Sequence, residues 1–241
     1  MKKLVRVLAA AAAMIGAAFV HAAAQPQVVY LTWSITVDAS GSVTRLDSES
    51  RLGPELKDRL EREIRSWRFK PGAIDGQAAV TESKLHLALQ VTPIDDGRSS
   101  LRVVRAGTGG GYGKMVAPNY PEVSVRARRQ GLVLLKVRYG EDGQVSELAA
   151  DEGAPYADKA LVDAAIAAVK RWTFTPEVVG GRPLAGVALV PVCFGLRGTR
   201  FSPPKCEWNR PGESIAADGD DPTPAFDSVL KLETAVAGRT P

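Results

Sequence analysis

Histidine and cysteine are nearly absent, two of each in 241 residues, and that scarcity removes most catalytic chemistry at the outset. His21 falls in an N-terminal stretch that reads as a leader. This leaves His86 as the imidazole available for general base work, and it sits between Leu85 and Leu87 on the polar face of an alternating segment. A Ser-His-Asp arrangement needs that base beside a nucleophile and an orienting acid, and the sequence has no Gly-x-Ser-x-Gly elbow. The acidic pairs Asp95-Asp96, Glu141-Asp142 and Asp151-Glu152 fall in turns or loops, where adjacent solvated carboxylates are ordinary. Two cysteines without neighbouring ligands do not make a metal site. The expectation is a protein that does no chemistry and needs no cofactor or metal.

Long apolar runs are missing too. The longest, residues 7–20, has 14 residues between Arg6 and His21, short of the roughly 20 that a membrane helix requires. With Lys2, Lys3 and Arg6 ahead of it and Ala22-Ala23-Ala24 behind, residues 1–24 read as a secretory signal peptide, with no membrane span left after cleavage. Three of the four net positive charges lie in that leader. The remaining chain is close to neutral, which argues against nucleic acid as a partner. The clusters Arg126-Ala127-Arg128-Arg129 and Arg62/Arg65/Arg68 read as solvated faces.

What the chain does have is a repeat. "SWRFKPGAIDG" from Ser66 and "RWTFTPEVVGG" from Arg171 share Trp-x-Phe-x-Pro and a following glycine at an offset of 105 residues. Leu56, Leu60, Ile64 and Trp67 form an apolar stripe at helical period, and the same offset gives Leu161, Ala165, Val169 and Trp172. The first helix is expected to start at Pro54 and the second near Tyr156. After each helix the period becomes two: Leu85, Leu87, Leu89 and Val91, then Val190, Val192, Phe194 and Leu196. Before each helix lies a hairpin, Leu31 to Val37 turning at Ser40-Gly41 and Val133 to Tyr139 turning at Asp142-Gly143. The pattern predicts an α+β fold of two small ββαβ modules, each a short antiparallel sheet packed by one main helix. The tryptophans are expected to fix the point where helix becomes strand, with proline forbidding further helix.

The expected boundaries are residues 28–93 and 115–200 for the modules, joined by a Gly-rich linker over 94–114. "GTGGGYGKM" fails as a phosphate loop twice, with Thr108 where glycine is needed and Met115 in place of a magnesium-binding hydroxyl. Cys193 and Cys206 predict one disulfide, Cys193 pointing away from the face of Val192 and Phe194. Residues 201–241, Pro-, Asp- and Gly-rich, are expected to be a tethered and mostly disordered tail.

"APNYPEVSVRARRQGLVLLKVRYGEDGQV", the helix, "RWTFTP", a glycine turn and "ALVPVCFGL" together resemble the C-terminal domain of TonB, the periplasmic energy-transducing protein. Pro118, Tyr120, Pro121, Gly131, Gly143, Val145, Trp172, Phe174, Pro176, Gly181 and Phe194 carry the likeness, which runs from about Ala117 to Leu196. The first unit resembles the same domain chiefly through "SWRFKPG". The C-terminal domain of TolA, which shares the architecture, is a looser likeness.

The resemblance implies a periplasmic binding module of a Gram-negative cell that docks on outer-membrane receptors or other envelope proteins. Such domains take a short extended receptor segment as an extra strand beside their last strand. Here that strand spans 187–196, which makes Val187, Ala188, Leu189, Val190 and Val192 partner-binding candidates, with Pro118, Tyr120 and Pro121 beside them. Pro191 marks an edge and lacks one donor. By the same logic the last strand of the first unit, 82–91, is expected to accept a partner through Lys84, His86 and Ala88. The chain departs from a working transducer: it shows no uncleaved anchor, no long Pro-rich spacer, and Ala117 where receptor-coupling members commonly have glutamine. The rival expectation is a soluble envelope adaptor that pairs edge strands between its own modules, between two copies as a homodimer, or with other envelope proteins.

Overall fold

The repeated tryptophan corners are where each helix is fastened to its sheet. In the computed structural model, which describes residues 26–95, 98–151, 158–196, 206, 208 and 224–241, strand β1 (Gln27–Val37) turns into β2 (Val43–Ser48) and helix α1 (Pro54–Ser66) follows. The helix opens at Pro54, as the missing N–H allows, and buries Leu60 and Ile64. Trp67 ends it in extended backbone, and Trp67 and Phe69 are both buried. The amide of Phe69, in β3 (Phe69–Lys70), donates to the carbonyl of Gly41 in the β1–β2 turn at 3.1 Å.

The second unit repeats this device. After β9 (Gly131–Tyr139), β10 (Val145–Ala150) and α3 (Lys159–Val169), the amide of Phe174, in β11 (Phe174–Thr175), donates to Gly143 O at 2.8 Å. Both glycines have positive φ, 84° and 75°, and a Cβ on either would overlap the aromatic residue's carbonyl oxygen. The hairpin turn thus has to be glycine twice over, for its backbone angle and for the close approach. Asp158 caps α3, its side chain accepting from Ala160 N at 3.1 Å. The expected start near Tyr156 and the expected leader lie outside the described residues.

A short hairpin, β4 (Ala73–Ile74) with β5 (Gln77–Ala78), leads into β6 (Thr81–Asp95), which runs antiparallel to β1 along its length. The stretch expected as linker is instead largely strand. β7 (Arg98–Gly109) pairs with the other edge of β6, and β8 (Gly111–Tyr112) pairs with β11. Leu101 and Val103 supply too little apolar periodicity to announce β7, which is held by its pairing with β6 and by Val103 buried in the first core. Helix α2 (Glu122–Arg126) precedes β9. After β11 come β12 (Val178–Val179), β13 (Arg182–Pro183) and β14 (Gly186–Phe194).

Beside three two-stranded pairs, two larger sheets result among the described residues, in the order β13-β12-β6-β1-β2, with β7 also on β6, and β10-β9-β14-β15, where β15 is Ala225–Phe226. Their pairings are antiparallel, and the fold is α+β as expected. One core gathers Trp33, Ile35, Leu60, Ile64, Trp67, Phe69, Leu85 and Leu87, and the other Leu135, Val137, Leu161, Val169, Trp172, Phe174, Val190 and Phe194.

The described part of the tail is not loose. Leu230 and Val236 are buried in the first core, and β16 (Lys231–Leu232) pairs with β3. Arg68 N donates to Thr234 Oγ1 at 2.8 Å, and Val103 N to Arg239 O at 2.9 Å. Its low apolar content hid this, because a few well-placed residues suffice when their slots are already formed. The expected disulfide joins Cys193 to Cys206 with 5.9 Å between Cα atoms. It brings Cys206 and Trp208 onto the outer face of the second sheet against Leu132 and Leu134.

Gly143→Ala is expected to cost about 1–3 kcal/mol, from the strained turn and the lost approach to Phe174, read by urea unfolding. Replacing both cysteines by serine should lower stability by about 2–4 kcal/mol, since the bond closes a short loop. Unfolding with and without reductant checks this: the wild type should be shifted by reductant and the double variant left unchanged.

Candidate functional site

The outer edge of β14 is the place where the second sheet meets the rest of the molecule. Its inner edge is fully used, each residue from Gly186 to Phe194 being paired with β9. Ala188, Val190 and Val192 point into the second core and are buried. Leu189, on the opposite face, packs toward the cluster of Leu132, Leu134, Cys206 and Trp208. Of the expected contact residues, these therefore offer backbone at the edge rather than free side chains. On the outer edge, Ala188 is paired with Phe226 and Leu189 with Ala225, and Asp227 N donates to Val187 O at 3.0 Å.

Pro118, Tyr120 and Pro121 lie at the far end of the same strand. Tyr120 stands edge-on to Phe194 with 5.4 Å between ring centres, and its hydroxyl donates to Arg129 O at 2.6 Å. Burial raises its phenol above the usual range. Pro121 is the N-cap residue of α2, and Trp172 Nε1 donates to Val116 O at 2.7 Å, so the segment is fastened along the helix side.

The expected second acceptor strand is an inner strand. β6 has β1 on one edge and, along the other, β12 followed by β7. Ala88 is buried between Tyr30 and Arg105 of the flanking strands. Lys84 is taken up by Glu49 and by Ser34 Oγ at 2.9 Å. Burial alone would raise the Glu49 carboxyl, and the bonds from Lys84 and Ser34 outweigh it and hold the group below the ordinary carboxylate range. His86 Nε2 lies 2.9 Å from Gly110 O, which makes it the donor, while Nδ1 faces Thr32 Oγ1 at 3.4 Å. A strand could add along β6 only by displacing β7, whose pairing alternation alone did not reveal.

His86 also lines a cleft of about 370 Å³ between the two sheets, together with Thr32, Glu49, Tyr112, Trp172 and Pro191. Its walls combine rings and prolines with the Glu49 carboxylate, which Lys84 and Ser34 hold. Among the described residues no set of three or more His, Cys, Asp or Glu could hold a metal ion.

The residue that sequence reasoning missed is Glu177, a buried carboxylate at the junction. Its Oε1 accepts from Ser83 Oγ at 2.6 Å and Ser228 Oγ at 2.7 Å, and Oε2 accepts from Val229 N at 2.8 Å. First sheet, second unit and tail meet on this one side chain. Burial and the charge of Glu177 raise the Tyr139 phenol far above its usual range. The available signal was an acid set directly after Pro176, where the 105-residue offset has glycine instead (Gly72). Glu177→Ala takes the acceptor from the Val229 amide, while the Ser83 and Ser228 hydroxyls keep Gly109 O and Leu230 O, and should cost about 1–3 kcal/mol. Hydrogen exchange checks it: the amides of 228–232 should lose protection first.

Comparison with known proteins places the β9-to-β14 unit. Residues 116–196 match the family model described as Gram-negative bacterial TonB protein C-terminal. Protein tonB2 of Pseudomonas aeruginosa is 37% identical over 86 residues, 36% of this chain and 31% of that protein. Protein TonB of Xanthomonas campestris pv. campestris is 35% identical over 82 residues, 34% of this chain and 36% of that protein. The chain thus spans about a third of the length of the curated relatives it matches, and no solved structure matches it. From Val116 to Leu196, with its Pro118–Tyr120–Pro121 lead-in and its tryptophan corner, this chain is similar to the TonB C-terminal domain.

Proposed function

We propose that the protein is a periplasmic, non-enzymatic binding component that couples to outer-membrane receptors or transport proteins by strand addition at the β14 edge. The observation that carries this reading is the family match over 116–196 combined with β14 as the outer long strand of its sheet. Among the described residues β14 is engaged on its outer side only over Val187 to Leu189, and residues 190–194 leave backbone groups there for a partner. Pro191 takes one donor from that row. The leader over 1–24 would deliver the chain to the periplasm, and no helix among the described residues is long and apolar enough to cross a membrane.

We further infer that residues 28–93 are a second copy of the module of 115–200. The order β1-β2-α1-β6 and the Gly41–Phe69 bond parallel β9-β10-α3-β14 and Gly143–Phe174. In this copy the acceptor position is closed by β7, so partner binding belongs to the second unit. The alternative, an envelope adaptor with no part in energy transduction, draws its support from β15, which already lies on the acceptor edge.

Peptides from the N-terminal plug segments of outer-membrane receptors, titrated into the full chain, should shift amides along 187–194 and leave those of β6 unmoved. Saturating peptide with no shift in β14 would overturn receptor coupling and favour the adaptor.

A further inference from the structure

The glycine run that fails as a phosphate loop has another use. A Cβ on Gly109 would overlap Cβ of Phe226, and one on Gly110 would come within 3.3 Å of its Cε1. Around the same ring stand His86, stacked at 5.6 Å, and Tyr139 and Phe174, each edge-on at 6.4 Å. Tyr139 and Phe174 are themselves stacked at 4.9 Å, so the wall exists independently of Phe226. Two glycines and three rings shape a slot that takes one flat side chain, beside the point where Ala188 pairs with the residue that fills it.

We propose that the outer edge of β14 carries an aromatic-selective strand site, and that the chain's own Ala225-Phe226-Asp227 occupies it as a tethered self-ligand. The proposal rests on the reading of β14 as the strand acceptor and deepens it by naming the partner chemistry. A competing segment has to be extended, place a phenyl-like ring opposite Ala188, and present the next residue's N–H to Val187 O. Charge adds little to the choice, because the slot walls are rings and glycine backbone.

The self-ligand is held from both sides. Upstream the Cys193–Cys206 disulfide ties the tail to β14 itself, and downstream Ser228 and Val229 are bonded to Glu177 while Leu230 is buried in the first core. A segment released from the edge therefore stays close to it, at an effective concentration on the order of millimolar. Yet the strand contact itself is two residues long, so exchange breaks few bonds. An outside strand has to outbid a ligand that is always present, which filters out weak and non-aromatic segments.

The test uses the full chain and a synthetic peptide of residues 222–229 as probe. Opening the site with Phe226→Ala should let the peptide bind at least ~10-fold more tightly than to wild type, where the tail holds the site. Shifts should centre on the amides of 187–189 and the His86 ring, and a peptide with alanine in place of the phenylalanine should not bind. Gly109→Val, which fills the slot, should abolish binding when combined with Phe226→Ala. Should Phe226→Ala fail to fold, Asp227→Pro, which removes the donor to Val187 O, decides by the same readings. A folded variant that binds the peptide no better than wild type, or binds the alanine peptide equally, overturns the proposal. Because the probe is the chain's own segment, failure of receptor peptides on wild type and on the opened variant would count against receptor coupling and leave this site standing.

Discussion

A hydrogen bond from an aromatic amide to the carbonyl of a turn glycine sets the geometry of each sheet-and-helix unit. Gly41 with Phe69 and Gly143 with Phe174 close a loop that holds hairpin, helix and return strand together. The net free energy of one such bond is about 1 kcal/mol, too little to hold a domain. Its weight is geometric: it fixes where the strand leaves the helix, and so which face of Trp67 or Trp172 is turned inward. The apolar stripes of α1 and α3 then bury themselves against sheets whose position is already determined.

The units are joined by a different kind of constraint. A carboxylate out of water is costly unless donors meet it, and Glu177 is met by three, from β6 and from the tail. None of the three donors belongs to the element that carries Glu177. An arrangement that keeps Glu177 buried but moves it away from these donors leaves an unmet charge, which favours this arrangement over such alternatives.

Much of this was legible in the sequence, and the exceptions share a cause. Both main helices, the hairpins, β6, β14 and the disulfide follow from local period, turn residues and compartment, because each of those elements carries its own buried face. β7, β15 and β16 carry too few apolar residues to announce themselves: Val103, Phe226 and Leu232 gain their place from partners elsewhere in the chain. The glycine run from Gly107 to Gly111 misled for the same reason, since close approach and flexibility call for the same residue. Of the candidate edge residues, Ala188, Val190 and Val192 lie on β14, while Lys84, His86 and Ala88 lie on β6, whose free edge β7 covers.

Leu230 and Val236 complete a core otherwise built from residues 31–106, and the bond between Arg68 and Thr234 spans 166 positions. The first unit is thus finished by residues more than 120 positions further along the chain. Until that distant segment docks, Phe69, Leu85 and their neighbours have an unfilled wall, so the first unit cannot close its core from its own stretch of sequence alone.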